Sequence, residues 1–396
     1  MKIAIVHDYI KEYGGAEKVL ETLLELYPGA DVFTSVYLPS FLGPHEERFK
    51  SFKIKTSPAQ YLPFKAKLIS PLRIIAPHLF RSFDFSGYDV IIVSQTGGYF
   101  PNSINKKKAV QICYCHTPPR YLYGYATARE WKKKAVFRIL GETMNHFLRM
   151  TDFKSAQNVD YFLANSENVR QRIRKFYRKD SVVIYPPVDI SKISTKQRLT
   201  RTDKNPSQSS VNQSESYYLA GGRLARPKHI DIIVEAFSKN GLPLKIFGKA
   251  FAGYGDELKS KIKDPACQSP ALAGRQKSRI EFLGEIAEDE KYKLMSGAEA
   301  FVFASEDEDF GITPVEAMSL GIPVIAYKSG GVLETVIDGK TGLFFKDLSV
   351  ESLNKAIEQF KKTKFDGSFI KQYSQKFSKE RFKDEIKNFV NSKVTH

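Results

Sequence analysis

Short apolar runs alternate with amphipathic segments along the first half of the chain. The run Val-Ile-Ile-Val-Ser at residues 90–94 is almost continuously apolar, which is typical of a parallel strand buried on both faces. The helical spacing of Val19, Leu23 and Leu26 predicts a helix over residues 16–26. The other strands predicted in this half cover residues 2–6, 32–35, 109–114, 161–164 and 182–185.

The same alternation returns in the second half of the chain. Between the halves, residues 191–216 are rich in polar residues and nearly lack apolar ones, which predicts a polar linker. Strands that alternate with helices build doubly wound parallel sheets. The pattern therefore predicts an α/β protein with two Rossmann-like domains, at residues 1–190 and 217–375, facing a ligand-binding cleft. In the second domain the predicted strands cover residues 217–220, 244–247, 280–283, 300–303 and 323–327, and the predicted helices cover 230–237, 288–296 and 314–320.

The composition is that of an ordinary globular protein, with 42 % hydrophobic and 27 % charged residues. An odd number of cysteines, three, with Cys113 and Cys115 crowded together, favours a reducing, cytoplasmic compartment. Cys113, Cys115 and His116 form part of a metal-ligand pattern. A fourth ligand at a suitable spacing is missing, so a buried strand is the preferred interpretation. No run of about 18 apolar residues predicts a transmembrane helix.

The net charge of +17 implies attraction to an anionic partner. Nucleic acid, acidic lipid and phosphorylated substrates all fit this charge. A nucleic-acid-binding protein is therefore one alternative function, although no stacking motif or recognition helix stands out.

The stretch Glu308-Asp-Phe-Gly-Ile-Thr-Pro-Val-Glu316 carries the strongest candidate chemistry. Its two carboxylates stand eight positions apart, at the start of a predicted helix. A helix N-terminus presents free N–H groups and partial positive charge, which suit a diphosphate. Gly311 lets the backbone approach such an anion closely. An acidic loop that only caps a helix is the alternative interpretation.

This stretch resembles the E-x7-E signature of retaining glycosyltransferase family 4, which has the GT-B fold. The match continues through Ala317-Met318, Gly321-Ile-Pro-Val324, Gly330-Gly331 with Glu334, and Asp338-Gly339 with Thr341-Gly342-Leu343. The resemblance covers nearly the whole chain. It implies that a C-terminal helix at about residues 376–396 packs back on the N-terminal domain.

Two further motifs strengthen the resemblance. Arg223 and Lys228 follow a predicted strand that ends in glycines, and in the family two such cations hold the diphosphate of a sugar nucleotide. The family usually has glycine after this lysine, where this chain has His229. Gly14 and Gly15 match the family's glycine-rich turn, which faces the donor phosphate and the acceptor.

A fourth motif, Ile112-Cys-Tyr-Cys-His-Thr-Pro-Pro-Arg-Tyr121, resembles a stretch of bacterial mannosyltransferases that build O-antigen and related polysaccharides. The resemblance implies that His116 touches the donor sugar. It also favours GDP-mannose as the donor. Leu122 and Tyr123 stand where those relatives often have a tryptophan, so UDP-sugar donors stay open, as does a GT-B nucleotide-sugar epimerase.

The resemblance implies a role for each candidate residue. Glu308 and His116 are the catalytic candidates, and Gly14 and Gly15 form the phosphate or acceptor loop. The candidate donor-binding residues are Arg223, Lys228, Gly311, Phe310, Ile312, Glu316, Gly248 and Leu283.

No metal or other cofactor is expected, because Arg223 and Lys228 already supply positive charge for the diphosphate. The competing interpretation is Asp307-Glu308-Asp309, formally an Asp-x-Asp motif that could hold a divalent ion. Asp307 and Asp309 are instead expected to be loop carboxylates facing water.

The expected partners are a nucleotide sugar and a lipid-linked glycan acceptor, with no nucleic acid. Residues 70–83 and 168–179 combine basic with apolar side chains, as suits an anionic membrane surface. Core-facing helices with solvated cations are the alternative. The predicted location is cytoplasmic, with peripheral attachment to the inner face of the cell membrane as a further expectation.

Overall fold

The computed structural model describes residues 1–127, 135–190, 216–251, 253–263 and 279–394. The chain divides into two compact units. Unit one comprises Met1–Tyr125, Glu130–Pro187 and Lys379–His396, and unit two comprises Val188–Ser378 with Ala126–Arg129. The linker predicted at residues 191–216 lies outside the described residues except for Ser216.

Unit one is built on a seven-stranded parallel sheet in the order β3-β2-β1-β4-β5-β6-β7. Its central strands, β1, β4 and β5, are buried on both faces, and most of their residues are apolar. The strands are β1 Ile3–His7, β2 Asp31–Thr34, β3 Ile54–Thr56, β4 Val90–Gln95, β5 Val110–Cys115, β6 Tyr161–Ala164 and β7 Ser181–Val183.

Helices cover the sheet of unit one, and the last of them comes from the C-terminus of the chain. Phe382, Ile386 and Val390 of this last helix are fully buried and share a core with Leu20 and Leu23. The helices of unit one are Gly15–Leu26, Lys65–Leu68, Ala76–Arg81, Ala135–Gln157, Glu167–Tyr177 and Lys379–Val394.

Unit two contains a six-stranded parallel sheet in the order β10-β9-β8-β11-β12-β13. The strands are β8 Tyr217–Gly221, β9 Leu244–Phe247, β10 Ile280–Gly284, β11 Ala298–Phe303, β12 Val324–Tyr327 and β13 Gly342–Phe345. The helices are Ile230–Asn240, Tyr254–Lys263, Glu288–Ser296, Ile312–Ser319, Val332–Thr335, Val350–Lys362 and Gly367–Ser374. The prediction of an α/β protein with two Rossmann-like parallel sheets is confirmed.

Several boundaries differ from those predicted. Unit one ends at Pro187 rather than at residue 190. The Val188 amide donates to the Phe377 carbonyl oxygen at 3.0 Å, which ties the segment after Pro187 to the end of unit two. The returning helix begins at Lys379 rather than near 376, because Gln375–Phe377 form a separate 3-10 turn and Ser378 is extended. Residues 70–83 do not form one helix. They form a 3-10 turn, Pro71–Ile74, and the short helix Ala76–Arg81.

The two basic segments predicted to meet a membrane pack their apolar side chains largely into unit one. In the helix Glu167–Tyr177, Val169, Ile173 and Tyr177 are buried while its arginines and lysines mostly face solvent. The core-facing alternative therefore holds for this segment. No helix within the described ranges is long and apolar enough to cross a bilayer.

Candidate active site

The sheet of unit two reverses its strand order between β8 and β11, and the candidate donor-binding residues lie at that point. Connections from these two neighbouring strands leave in opposite directions, which opens a crevice at their carboxyl ends. Gly222 and Arg223 follow β8, whereas Glu308 and Gly311 follow β11. A Cβ atom at Gly222 would lie 3.9 Å from Thr313 Oγ1, in the first turn of the helix after β11.

Lys228 and Glu308 meet at this crevice. The ammonium group of Lys228 donates to Glu308 Oε2, and the Ser305 hydroxyl donates to the same oxygen at 2.8 Å. The side chains are 28 % and 17 % exposed, respectively, so both can be reached by a ligand. Lys228 Nζ also lies 5.2 Å from the Phe303 ring centroid.

Gly311 forms the N-cap of the helix Ile312–Ser319 with φ +92° and ψ +61°. This left-handed conformation favours glycine. The helix begins at Ile312 rather than at Pro314, which occupies the third position of its first turn. Ile312 is half-buried. The free N–H groups of this first turn point out of the helix N-terminus, where an anion is favoured.

The loop that carries Glu308 is fixed by the two glycines that follow β12. The Gly331 amide donates to the Glu308 carbonyl oxygen at 2.8 Å. Gly330 has φ +68°, and a Cβ atom there would lie 2.4 Å from the same oxygen. The family-like Gly330-Gly331 pair therefore lets the backbone pass directly against Glu308.

Glu316 lies on the helix Ile312–Ser319, and its side chain is almost fully buried. Its charge is balanced by Lys291, which the sequence analysis did not single out. Lys291 Nζ lies 2.9 Å from Glu316 Oε2, with side-chain exposures of 13 % and 4 %. Lys291 lies on the helix Glu288–Ser296, just after an acidic first turn. A carboxylate so deep in the protein requires such a partner.

Gly248 and Leu283 lie at neighbouring strand ends on the other side of β8. Gly248 has φ +127°, and a Cβ atom there would lie 1.7 Å from the Gly222 carbonyl oxygen. Its amide donates to the Gly284 carbonyl oxygen at 2.6 Å. Leu283 is half-buried within β10. Arg223 is exposed, with its guanidinium carbon 5.8 Å from the Phe251 ring centroid.

Phe310 contributes to the packing of unit two. Its side chain is 2 % exposed, and its ring centroid lies 5.5 Å from that of Phe377. Asp307 and Asp309 are half-buried, so both keep part of their surface exposed, and their role as loop carboxylates stays a prediction. Asp307 adopts φ +52°, so the backbone turns sharply just before Glu308. In the described part of the chain, no three His, Cys, Asp or Glu side chains are grouped to hold a metal ion.

His229 stands where the family usually has glycine. It adopts φ +46° and ψ +42°, a left-handed conformation that glycine takes most readily. Its Nε2 lies 3.1 Å from Glu306 Oε2. The histidine therefore keeps a glycine-like backbone turn after Lys228.

The sheet of unit one also reverses its order, between β1 and β4, and His116 lies beside that point. Its Nε2 contacts Ser94 Oγ at 2.9 Å, and Ser94 Oγ contacts His7 Nδ1 at 3.0 Å. His7 Nε2 lies 3.5 Å from Glu17 Oε1. Burial, with the nearby His7, lowers the pKa of His116 from 6.5 to about 3, so the ring is neutral at physiological pH.

Gly14 and Gly15 begin the first helix of unit one. Gly14 is the extended N-cap residue and Gly15 the first helical residue. The Gly14 amide donates to Glu17 Oε2 at 2.9 Å, which is one half of a capping box, since glycine has no side chain to return the bond. This turn therefore connects directly to the polar side chains around His116.

The structure thus brings the predicted residues together in two groups, each at the reversal point of its own sheet. Unit two contains Arg223, Lys228, Gly248, Leu283, Glu308, Phe310, Gly311, Ile312 and Glu316, and unit one contains Gly14, Gly15 and His116. Sequence reasoning missed Lys291, His7 and Ser94. The cleft between the domains stays a prediction.

Two family models match the chain, one after the other. The model described as Glycosyltransferase Family 4 matches residues 13–192, and the model described as Glycosyl transferases group 1 matches residues 201–382. The Glu308–Glu316 stretch falls in the second match and the His116 motif in the first.

Relatives with curated names include the α-1,3/1,6-mannosyltransferase ALG2 of two organisms. The Kluyveromyces lactis protein is 29 % identical over 282 residues, which cover 63 % of this chain and 52 % of the relative. The Dictyostelium discoideum protein is 27 % identical over 336 residues, covering 77 % and 76 %. The alignment thus spans about half the length of the first of these relatives.

Solved structures with the same fold include sucrose-phosphate synthase from Thermosynechococcus elongatus, with a TM-score of 0.69 at 18 % identity over 99 % of both chains. Anabaena HepE, in a complex with UDP, has a TM-score of 0.66 at 20 % identity, covering 99 % of this chain and 100 % of the other. At such identities the likeness concerns the fold alone.

Proposed function

Because the chain belongs to glycosyltransferase family 4, we propose that it is a retaining glycosyltransferase that moves mannose from GDP-mannose to a lipid-linked glycan acceptor in polysaccharide biosynthesis. The observation that carries the proposal is the Lys228–Glu308 pair at the strand-order reversal of unit two, beside a free helix N-terminus. A cation, a carboxylate and outward-pointing N–H groups suit the two ends of a nucleotide sugar, its diphosphate and its hydroxyl groups.

Departure of the nucleoside diphosphate builds negative charge on its phosphate oxygens, while positive charge develops on the sugar ring. Lys228, Arg223 and the N–H groups after Gly311 would stabilise the leaving diphosphate. Such groups accelerate a reaction most when they are held in place before the charge develops. Glu308 would bind sugar hydroxyls, and Glu316, already paired with Lys291, would hold the ribose.

Mannose is favoured by the residues around His116 and by the mannosyltransferase names of the relatives. The direct test offers the purified protein GDP-mannose, UDP-glucose and UDP-N-acetylglucosamine, with membranes of the source cell as acceptor. Mass spectrometry of the lipid extract is expected to show a gain of one hexose with GDP-mannose alone. Turnover of a UDP-sugar only would refute mannose but keep the class, and conversion of the nucleotide sugar without acceptor would indicate an epimerase.

Transfer is expected to be independent of divalent metal ions. Lys228 and the helix N-terminus already provide positive charge where the diphosphate is expected. Incubation with EDTA should leave the initial rate of transfer largely intact, and Asp307→Ala should change it much less than Glu308→Ala. Loss of activity in EDTA that Mn²⁺ restores would instead assign Asp307 and Asp309 to a metal site.

Attachment to a membrane surface is supported by an exposed apolar stripe on the helix Ala135–Gln157. The opposite side of this helix packs in unit one, where Leu148 and Asp152 are buried. The stripe consists of Ile139, Leu140, Met144, Phe147 and Met150, which are 43–65 % exposed. Burying such side chains in a bilayer is favourable, and the net charge of +17 attracts anionic lipid.

Vesicle binding tests this attachment. The protein should bind vesicles containing anionic lipid, and binding should weaken as salt rises because the Debye length falls below about 8 Å. Phe147→Asp should weaken binding by about tenfold or more, since it replaces an apolar side chain that would insert into the bilayer by a charged one. Phe369→Asp, at an exposed position of unit two, is the matched control and should bind as the wild type does. Equal binding to neutral and anionic vesicles would remove the electrostatic part of the proposal.

A further inference from the structure

A series of four polar side chains runs beneath the carboxyl ends of β1, β4 and β5. It begins at Glu17, passes through His7 and Ser94, and ends at His116. The three contacts measure 3.5 Å between Glu17 Oε1 and His7 Nε2, 3.0 Å between His7 Nδ1 and Ser94 Oγ, and 2.9 Å between Ser94 Oγ and His116 Nε2. His7 and Ser94 are fully buried, and Glu17 and His116 are less than 10 % exposed.

The carboxylate end of the series lies at a helix N-terminus. Glu17 lies in the first turn of the helix Gly15–Leu26, where the partial positive charge of the helix N-terminus favours an anion. Its Oε2 accepts the Gly14 amide at 2.9 Å. The other oxygen, Oε1, faces His7. At 3.5 Å this contact is long for a hydrogen bond and acts mainly through charge.

The carboxylate of Glu17 sets the direction of every proton along the series. With His7 neutral, its single ring proton is favoured on Nε2, because a lone pair there would face the carboxylate. Nδ1 of His7 is then an acceptor and takes the hydroxyl proton of Ser94. The Ser94 oxygen in turn accepts from His116, which places the His116 proton on Nε2. The reversed arrangement would keep both bonds of Ser94, but it would turn the Nε2 lone pair of His7 toward the carboxylate of Glu17.

We propose that Glu17, His7 and Ser94 are positioning residues that fix His116 in the Nε2–H tautomer, so that its Nδ1 serves as a hydrogen-bond acceptor for a substrate hydroxyl group. The low pKa of His116, about 3, agrees with this assignment, since a neutral ring carries only one N–H. The backbone of His116 is held as well, because Asn165 Nδ2 donates to its carbonyl oxygen at 2.9 Å.

The assignment of the His116 tautomer does not rest on the proposed function. The effect of that tautomer on sugar transfer does rest on it. In the proposed reaction a hydroxyl group of the sugar or the acceptor donates to Nδ1 of His116. The opposite tautomer would present an N–H there, which can donate to the hydroxyl oxygen but cannot accept its proton. Two separate measurements therefore distinguish a failure of the tautomer assignment from a failure of the proposed function.

The first measurement is the long-range ¹H–¹⁵N correlation spectrum of the full-length protein labelled at its seven histidines. Spectra of His116→Gln and His7→Asn assign the two rings. The expected pattern is Nε2–H for both rings at neutral pH. Glu17→Gln, which removes the charge and keeps the shape, should give a mixture of tautomers. An Nδ1–H or doubly protonated His116 in the wild type, or an unchanged pattern in Glu17→Gln, would overturn the proposal.

The second measurement compares Ser94→Ala with Ser94→Thr. Alanine interrupts the series, so His116 should lose its single tautomer and kcat should fall about tenfold, with a smaller change in KM. Threonine keeps the hydroxyl group and should restore both. Ser57→Ala is the matched control, because Ser57 is also fully buried and makes two hydrogen bonds away from the histidines. A loss of activity in Ser57→Ala as large as in Ser94→Ala would reduce Ser94 to a structural role.

Discussion

Alanine at Glu308 or Lys228 is expected to lower kcat for sugar transfer by about 10²–10³-fold, the range measured when one preorganised charge-stabilising group is removed from an active site. Lys228 would lose its contact with the leaving diphosphate, and Glu308 its contact with the sugar. Both effects arise in the transition state, so KM should change less than kcat.

Stability should change little in either variant. The Lys228–Glu308 pair is partly exposed, and Ser305 still bonds to Glu308 when Lys228 is removed. Thermal unfolding followed by circular dichroism checks this. Lys293→Ala removes an exposed lysine from the helix Glu288–Ser296 and serves as the control. Transfer within about threefold of the wild-type rate in both Lys228→Ala and Glu308→Ala would contradict the proposed site.

Gly330→Ala is expected to reduce the rate of transfer nearly as much as Glu308→Ala does, although Gly330 contacts no reacting group. Its new Cβ atom would lie 2.4 Å from the Glu308 carbonyl oxygen and 2.8 Å from the Glu308 amide nitrogen. Both are backbone atoms, so Glu308 must move. A displacement of about 1 Å in a catalytic constellation costs roughly 10²-fold in rate.

Gly339→Ala provides a closely matched control for this substitution. Gly339 has φ +72°, near the +68° of Gly330, but a Cβ atom there meets nothing within 4 Å. Both variants carry the left-handed backbone cost of about 1–2 kcal/mol. Only Gly330→Ala should also lose kcat, as measured on protein shown to be folded by thermal denaturation. Equal activity of the two variants would mean that the Gly330–Glu308 contact does not position Glu308.

Much of the fold follows from the apolar runs of the sequence. Strand β4 and residues 300–303 of β11 are buried on both faces and are largely continuous hydrophobic segments in the sequence. The edge strand β3, Ile-Lys-Thr, escaped prediction because it is short and half-exposed. The helix Ala135–Gln157 escaped because five of its apolar side chains face outward, which weakens the periodic contrast between its faces.

In the candidate site, too, residues in local motifs could be predicted from the sequence, whereas residues that meet only in the folded chain could not. Glu308, Gly311 and Lys228 stand in local motifs, so the sequence alone singled them out. His7 and Ser94 meet because β1 pairs with β4, strands separated by more than eighty residues. Lys291 meets Glu316 only after two helices pack together. Such contacts depend on strand order and packing, which local periodicity does not encode.

The most direct test of the account is the anomeric configuration of the product formed from GDP-mannose. The mannosylated glycan is isolated, its added hexose is counted by mass spectrometry, and its anomeric carbon is examined by NMR. GDP-mannose carries its sugar in the α configuration, so a retaining enzyme must yield an α-mannoside. The account predicts one added α-mannose, lost in Glu308→Ala. A β-linked product, or no transfer of mannose to any acceptor, would contradict it.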